Sequence, residues 1–267
     1  MENKGFNISV LASGSSGNAT FIETPKRKIL VDCGLTGKKT AQLMTSIGRD
    51  LHDVDTLLVT HEHRDHTKGV GILARKYHLD VYANEATWQA MMPIVGNIPT
   101  AQQHIIEPGE LKTFSDIDVM SFNVSHDAAN PQFYAFQKDG KQFVILTDTG
   151  YVSDKLRHLL KNASAYLIES NHDLELLRMG PYPWSLKQRI LSDEGHLSNN
   201  DGALAVSEMI GDHTKQIYLG HLSHENNMKQ IAYETAFQIM EEADIGPGQA
   251  FNLLVSDPDI AQPLLHL

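Results

Sequence analysis

Directly behind the aliphatic and β-branched stretch Asp55-Thr-Leu-Leu-Val-Thr60, the run Thr60-His-Glu-His-Arg-Asp-His66 gathers imidazoles and carboxylates at a density that surface chemistry rarely requires. A buried strand ending in such a cluster constrains the fold, because the ligands must sit on the loop that leaves its carboxyl end. His61 and His63, two apart, point to one side of an extended segment, whereas Asp65 and His66 fall past the bend and can face a second ion. The pattern predicts a hydrolase site for two metals. A helical metalloprotease motif needs its second His four residues after the first, but position 65 is Asp and the context is a strand, which sets that class aside. The plain alternative is a solvated loop that happens to be rich in His.

With 267 residues and 41% hydrophobic content, the chain can bury a substantial core, and it is expected to form a single domain over residues 1–267. The short apolar run Ile8-Ser-Val-Leu-Ala12 does not suit a signal peptide or membrane span, so a cytoplasmic enzyme with no membrane partner is expected. Cys33, the single cysteine, cannot form an internal disulfide and reads as a small buried residue. A net charge of −11 argues against binding polyanions over the whole surface, yet two divalent cations can anchor a phosphate locally.

Along the chain, strands and helices alternate. Strands are expected at Phe6 to Leu11, Thr20 to Glu23 and Lys28 to Asp32, followed by a helix in the forties. A helix follows the ligand loop through Tyr77, then a strand at Val81-Tyr82 and a helix from Glu85 to Met92. From Ile105 to Leu146 the period changes to two, with Asp139-Gly140 signalling a hairpin between Phe133 to Phe136 and Phe143 to Leu146. Helix and strand then recur, with a helix at Leu156 to Leu160, a strand at Tyr166 to Ile168, a helix at Gly202 to Ile210 and a strand at Gln216 to Leu219. A helix from Met228 to Glu242, the turn Gly246-Pro247-Gly248 and a strand at Phe251 to Val255 complete the pattern. Two β-rich halves backed by helices suggest an α/β fold, an αββα sandwich of two mixed sheets face to face with helices outside.

Further ligands should lie at other strand ends. His126 follows Val119 to Asn123, Asp148 follows Phe143 to Leu146, and His221 follows Gln216 to Leu219. Taken singly each reads as a turn or cap residue. The ordered set resembles the metallo-β-lactamase superfamily, whose motifs are an early Asp, His-x-His-x-Asp-His, a lone His, a lone Asp and a final His. Asp32, His61 to His66, His126, Asp148 and His221 match them in order. The resemblance implies that His61, His63 and His126 hold one ion, that Asp65, His66 and His221 hold the other, and that Asp148 bridges them. Asp32 would support the ligand loop. Zinc or manganese suits such ligands, and iron is compatible with them.

The fold hosts many hydrolases, so the substrate class must come from the surrounding residues. The loop Ala12-Ser-Gly-Ser-Ser-Gly-Asn18 offers backbone N–H groups and hydroxyls to a phosphate, and reads equally as a plain hairpin turn. Gly195-His196-Leu-Ser-Asn-Asn200 puts His196 just before a helix start, either as a capping-loop residue or as a general acid. Together with Glu169-Ser-Asn-His172-Asp, Gly180-Pro-Tyr-Pro-Trp184 and Gly220-His221-Leu-Ser-His224-Glu-Asn-Asn227, these segments resemble the YycJ/WalJ group of the superfamily. That resemblance implies a 5′-to-3′ exonuclease on double-stranded DNA, with a possible part in DNA repair. Asp65, Asp148 and His196 would be its catalytic residues. Ser15, Ser16, Asn18, His172, Arg178, Trp184 and His224 would contact substrate. Arg178, Lys187 and Arg189 interleave with Tyr182 and Trp184, and Pro181 and Pro183 are expected to fix an extended turn, a pattern suited to phosphates and bases, although a Trp packed against the core is the plain alternative. Protein partners are not indicated. The alternatives are a thioester or lactone hydrolase of the same fold, an RNA-processing nuclease, and a non-catalytic metal- or nucleic-acid-binding module.

Overall fold

The structure is a computed structural model that describes residues 5–246, 248 and 250–267; Pro247 of the expected Gly246-Pro247-Gly248 turn lies outside the described residues. In chain order the elements begin with β1 (Asn7–Ala12), β2 (Ala19–Glu23), β3 (Lys28–Val31), α1 (Gly37–Ser46) and β4 (Thr56–Leu58). There follow α2 (Arg64–Thr67), α3 (Val70–Tyr77), β5 (Asp80–Ala83), α4 (Glu85–Val95), β6 (Gln103–Ile105), β7 (Leu111–Phe114), β8 (Ile117–Asn123) and β9 (Gln132–Lys138). The remainder is β10 (Lys141–Leu146), α5 (Asp154–Leu159), β11 (Ala165–Glu169), α6 (Leu174–Met179), α7 (Trp184–Ile190), α8 (Asn199–Met209), β12 (Gln216–Gly220), α9 (Lys229–Glu242), β13 (Asn252–Val255) and β14 (Leu265–His266). Asp139 and Gly140 take positive φ values of 49° and 74°, the backbone that a two-residue hairpin turn requires.

The chain divides into two compact units. One comprises the described residues up to Asn123, with Ala128–Asp139 and Asp257–Leu267; the other comprises Val124–Asp127 and Gly140–Ser256. In the first, the sheet runs β14-β1-β2-β3-β4-β5-β6, antiparallel from β14 to β3 and parallel from β3 to β6. β7, β8 and β9 pair antiparallel. A continuous apolar cluster, including Leu30, Leu57, Leu73 and Val81, packs the helices of this unit onto its sheet. In the second unit β10, β11, β12 and β13 pair parallel in that order. Their burial on both faces explains the unbroken apolar runs Phe143 to Leu146 and Tyr166 to Ile168.

Parallel pairing lines up strand ends, and chemistry collects there. Val31 pairs with Leu58, so Asp32 and the segment beginning at Val59 leave adjacent strands side by side. Leu146 pairs with Ile168 and Glu169 with Gly220, which sets Asp148, Glu169 and His221 at neighbouring strand ends of the second unit. Asp32, Asp148 and His221 each take positive φ (58°, 49° and 54°), a conformation that costs a non-glycine residue roughly 1–3 kcal/mol and persists where surrounding structure enforces it.

In the first unit the ligand loops lie backbone to backbone. Cys33 N–H donates to His66 O (2.8 Å), Gly69 N–H donates to Cys33 O (2.7 Å), and Asn18 N–H donates to Asp65 O (2.8 Å). Gly34 makes this approach possible, since a Cβ there would lie 1.6 Å from Asp65 O. Gly34→Ala should therefore destabilise the protein by about 3 kcal/mol. Gly37→Ala, whose Cβ would stand an ordinary 3.5 Å from Leu73 Cδ2, should be neutral or stabilise by about 0.4–1 kcal/mol. Denaturant unfolding of the two variants checks this, and equal stabilities would contradict the packing of these loops.

Candidate functional site

In the first unit the site is organised by Asp32, which is buried at the end of β3. Thr60 N–H and Thr60 Oγ1–H donate to its two oxygens (2.9 and 2.8 Å), and His66 Nδ1–H donates to Oδ2 (2.8 Å). Having donated to Asp32, the Thr60 hydroxyl accepts from His61 Nδ1–H (3.0 Å). These bonds fix the tautomer of both rings and make Nε2 the lone-pair nitrogen, as a metal ligand requires. Burial lifts the Asp32 carboxyl above its ordinary range, opposed by the charge and hydrogen bond of His66 and the bonds from Thr60. The His61 ring centroid lies 4.7 Å from that of His63 and 4.2 Å from that of His66. Asp65 Oδ2 lies 3.6 Å from His66 Nε2.

The second unit repeats this device with Glu169, at the end of β11 and fully buried. Its Oε1 accepts from His196 Nδ1 (2.7 Å) and His221 Nδ1 (3.0 Å), and its Oε2 accepts Thr149 N–H (3.0 Å) and Leu197 N–H (3.1 Å). Burial opposes ionisation of Glu169, but the charge and hydrogen bond of His196 and the bond from His221 outweigh it and depress its pKa. For His196, burial favours the neutral ring, yet the Glu169 charge and hydrogen bond win and raise its pKa above the ordinary imidazole value. His221 Nε2 lies 3.2 Å from Asp148 Oδ1, and the His196 and His221 rings stack at 5.2 Å. His126 Nδ1–H donates to Gly195 O (3.1 Å), again making Nε2 the lone-pair nitrogen, and burial lowers its pKa. Asp148, Glu169, His196 and His221 offer ligand atoms within 4.8 Å of one another. The second unit thus presents a His and carboxylate cluster whose chemistry fits a divalent cation.

The Asn and Ser residues of the signature segments form a scaffold. Ser170 Oγ donates to Asn199 Oδ1 (2.6 Å), while Asn227 Nδ2 donates to Ser170 O (2.8 Å) and Asn171 O (3.0 Å). Asn171 Nδ2 in turn donates to His221 O (2.9 Å). These bonds tie the loops after β11 and β12 to the start of α8.

Several residues expected to contact substrate have other tasks. His172 is 1% exposed, burial lowers its pKa to about 4, and its backbone bridges to Ser198, so it belongs to the scaffold and not to a contact surface. Asn18 is buried, with its Oδ1 on Gly14 N–H (3.0 Å) and its Nδ2 on Gly14 O (3.1 Å) and beside His66 Nε2 (3.1 Å). It shapes the loop, while Ser15 and Ser16 stand exposed on it. Lys187, expected on phosphate, is buried and donates to Arg178 O and Gly180 O (2.7 Å each), ending α6. Arg189 pairs with Asp127. Trp184 opens helix α7 where an extended turn is expected, because Pro183 supplies the helix N-cap. Arg178 is exposed, Trp184 is 63% exposed and the His224 side chain is 90% exposed, so these remain open to a ligand. The segment Glu169-Ser-Asn-His172-Asp contains Glu169, to which sequence reasoning assigns no role. An acid immediately after Tyr166-Leu-Ile168, at the same strand-end position as Asp32 after Ile29-Leu-Val31, is the signal that would have found it.

Glu169→Gln keeps the side chain's size and removes the charge that two imidazole N–H groups face. Divalent-metal affinity should fall by roughly 10–100-fold, with an unchanged far-ultraviolet spectrum. Competition against a chromogenic chelator measures it; unaltered affinity would contradict an orienting role.

Residues 27–222 match the model of the beta-lactamase superfamily domain. The chain is 56% identical to Exodeoxyribonuclease WalJ of Streptococcus pneumoniae serotype 2 (strain D39), over 100% of both chains. It is 54% identical to Exodeoxyribonuclease YycJ of Bacillus anthracis, over 98% of this chain and 100% of the relative. Among solved structures, the metallo-beta-lactamase fold protein YhfI from Bacillus subtilis superposes with a TM-score of 0.74 at 13% identity, over 97% of this chain and 99% of that one. That likeness establishes the fold class, an α/β arrangement of two mixed sheets with helices. By both the family match and the full-length relatives, the chain belongs to the beta-lactamase superfamily domain family.

Proposed function

We propose that this chain is a divalent-metal-dependent exodeoxyribonuclease, a phosphodiesterase that degrades double-stranded DNA from a 5′ end. The observation that carries the proposal is the 54–56% identity to proteins named exodeoxyribonucleases over essentially the whole chain. The anchored imidazoles and carboxylates of the two units support it. By motif order, His61, His63 and His126 would hold one ion, Asp65, His66 and His221 a second, and Asp148 both. Divalent cations at such positions, zinc, manganese or iron by ligand type, would supply Lewis acidity and lower the pKa of a bound water toward neutral.

The chain's own residues supply the rest. Asp65 and Asp148 are carboxylates of the reacting centre as well as ligands. His196 acts as the general acid: Nδ1–H is held by Glu169 (2.7 Å), which favours the imidazolium, and Nε2 carries the proton for the leaving oxygen. Ser15 and Ser16, exposed on the β1–β2 loop, suit a terminal phosphate. Arg178, Trp184 and His224 suit the backbone and bases of the nucleic acid. We take residues 1–267 as a single metallo-β-lactamase-fold domain working in the cytoplasm, with a role in DNA repair. Among the described residues no helix is long and apolar enough to cross a membrane.

Metal-loaded protein should shorten end-labelled linear duplex and leave closed circular DNA intact; equal rates on both would contradict exonuclease action. His196→Ala should retain metal while the rate falls roughly 10²–10⁴-fold, with a smaller loss on a nitrophenyl ester whose leaving group needs no proton. Equal losses on both substrates would contradict the acid role. A 5′-phosphorylated duplex should be degraded faster than its 5′-hydroxyl counterpart, and substituting Ser15 and Ser16 by Ala should reduce that preference. A preference that survives both substitutions would remove the loop from phosphate binding.

A further inference from the structure

Helices α1 and α3 bound a cleft of about 720 Å³ on the first unit, a size that suits one large side chain with flanking backbone. The helices approach each other at Gly37, where a Cβ would stand 3.5 Å from Leu73 Cδ2 and 3.6 Å from Ile72 Cγ2, and the cleft is lined by Lys38, Ala41, Ile72, Leu73, Lys76 and Tyr77 among others. Within α3, Val70, Gly71, Leu73 and Ala74 are the residues buried against the rest of the unit. Ile72 is 54% exposed, so core packing does not account for an isoleucine there. Its side chain instead gives the cleft an apolar wall.

The charges around this wall are of one sign. Lys38 and Lys76 line it, and no Asp or Glu does. The neighbouring Lys39 pairs with Asp259 at 2.9 Å, but neither Lys38 nor Lys76 has an acidic partner among the described residues. Lys76 Nζ lies over the Tyr77 ring, 5.0 Å from its centroid. In a chain with 33 acidic and 22 basic residues, an uncompensated lysine pair beside an exposed isoleucine is a local departure from the surface charge. A duplex keeps its bases stacked and presents a polar, anionic backbone with little apolar surface for Ile72, so an apolar side chain fits this wall better.

We infer that the α1–α3 cleft is a docking site for an acidic peptide segment of a partner protein, which places one large apolar side chain against Ile72 and carboxylates on Lys38 and Lys76. Charge complementarity selects the segment, and the apolar anchor supplies its hold. None of these residues belongs to the metal-holding or catalytic set, so docking would recruit the protein to a partner and leave the reacting groups as they are.

The test uses the full chain and a fluorescein-labelled peptide of aspartates around one phenylalanine, followed by anisotropy. Saturable binding is expected, weaker as salt rises, and weakened roughly tenfold or more by Lys38→Glu with Lys76→Glu. Ile72→Ser, which leaves the charge alone, should weaken it comparably, and both variants should keep the wild-type thermal midpoint and duplex hydrolysis. A peptide with serine in place of phenylalanine should bind at least tenfold more weakly. Equal binding of that control, or of wild-type and either variant, would overturn the proposal. So would binding of dodecanoate or of phosphatidylglycerol vesicles, sensitive to the same substitutions, without binding of the peptide.

Discussion

A buried carboxylate that accepts an imidazole Nδ1–H is the interaction on which the rest of this structure depends, and each unit uses it. Asp32 holds His66 in this way and, through the Thr60 hydroxyl, His61. Glu169 holds His196 and His221. Leaving either carboxylate without these donors would cost several kcal/mol of uncompensated desolvation, so the rings and the acids enforce one another. The result is a set of side chains whose Nε2 atoms are fixed in direction and protonation before any ligand arrives. Such preorganisation is what a metal centre needs from the protein around it.

The backbone bears the cost of placing these groups. Asp32, Asp148 and His221 adopt left-handed conformations just beyond the ends of β3, β10 and β12. Parallel pairing makes neighbouring strands end at one level, and the reversal in φ turns each side chain out of the strand path. The close fit of Gly34 against the Asp65 carbonyl, and the Ser170-Asn199-Asn227 network, are the packing and hydrogen bonds that hold such turns in place.

Much of this was legible in the sequence, because strand-end ligands follow apolar runs that periodicity detects. His61 to His66, His126, Asp148 and His221 stand where those runs end, and the alternation of elements gave most strands and helices to within a few residues. The departures have physical causes. Pro181 and Pro183 suggested an extended segment, yet a proline at the N-cap is compatible with the helix α7 that follows. Lys187 and Asn18 carry polar groups that sequence assigns to solvent or substrate, whereas here they satisfy backbone carbonyls and amides that would otherwise be buried without partners. Glu169 shares with Asp32 the position directly after an apolar strand, whereas the scaffold place of His172 shows only in its burial and its bridge to Ser198. The short pairing of β14 with β1 involves Leu265 and His266, too few residues to leave a periodic signal.

His61, His66, His126 and His221 are held through Nδ1, which leaves Nε2 as the nitrogen that would take a metal. Crystals of the metal-loaded protein, measured with anomalous scattering at the absorption edge of the bound ion, test it most directly. Two ions are expected, with Nε2 of His61, His66, His126 and His221 among their ligands and Asp32 and Glu169 outside the coordination sphere. Ions coordinated through Nδ1, or bound directly by Asp32 or Glu169, would contradict it.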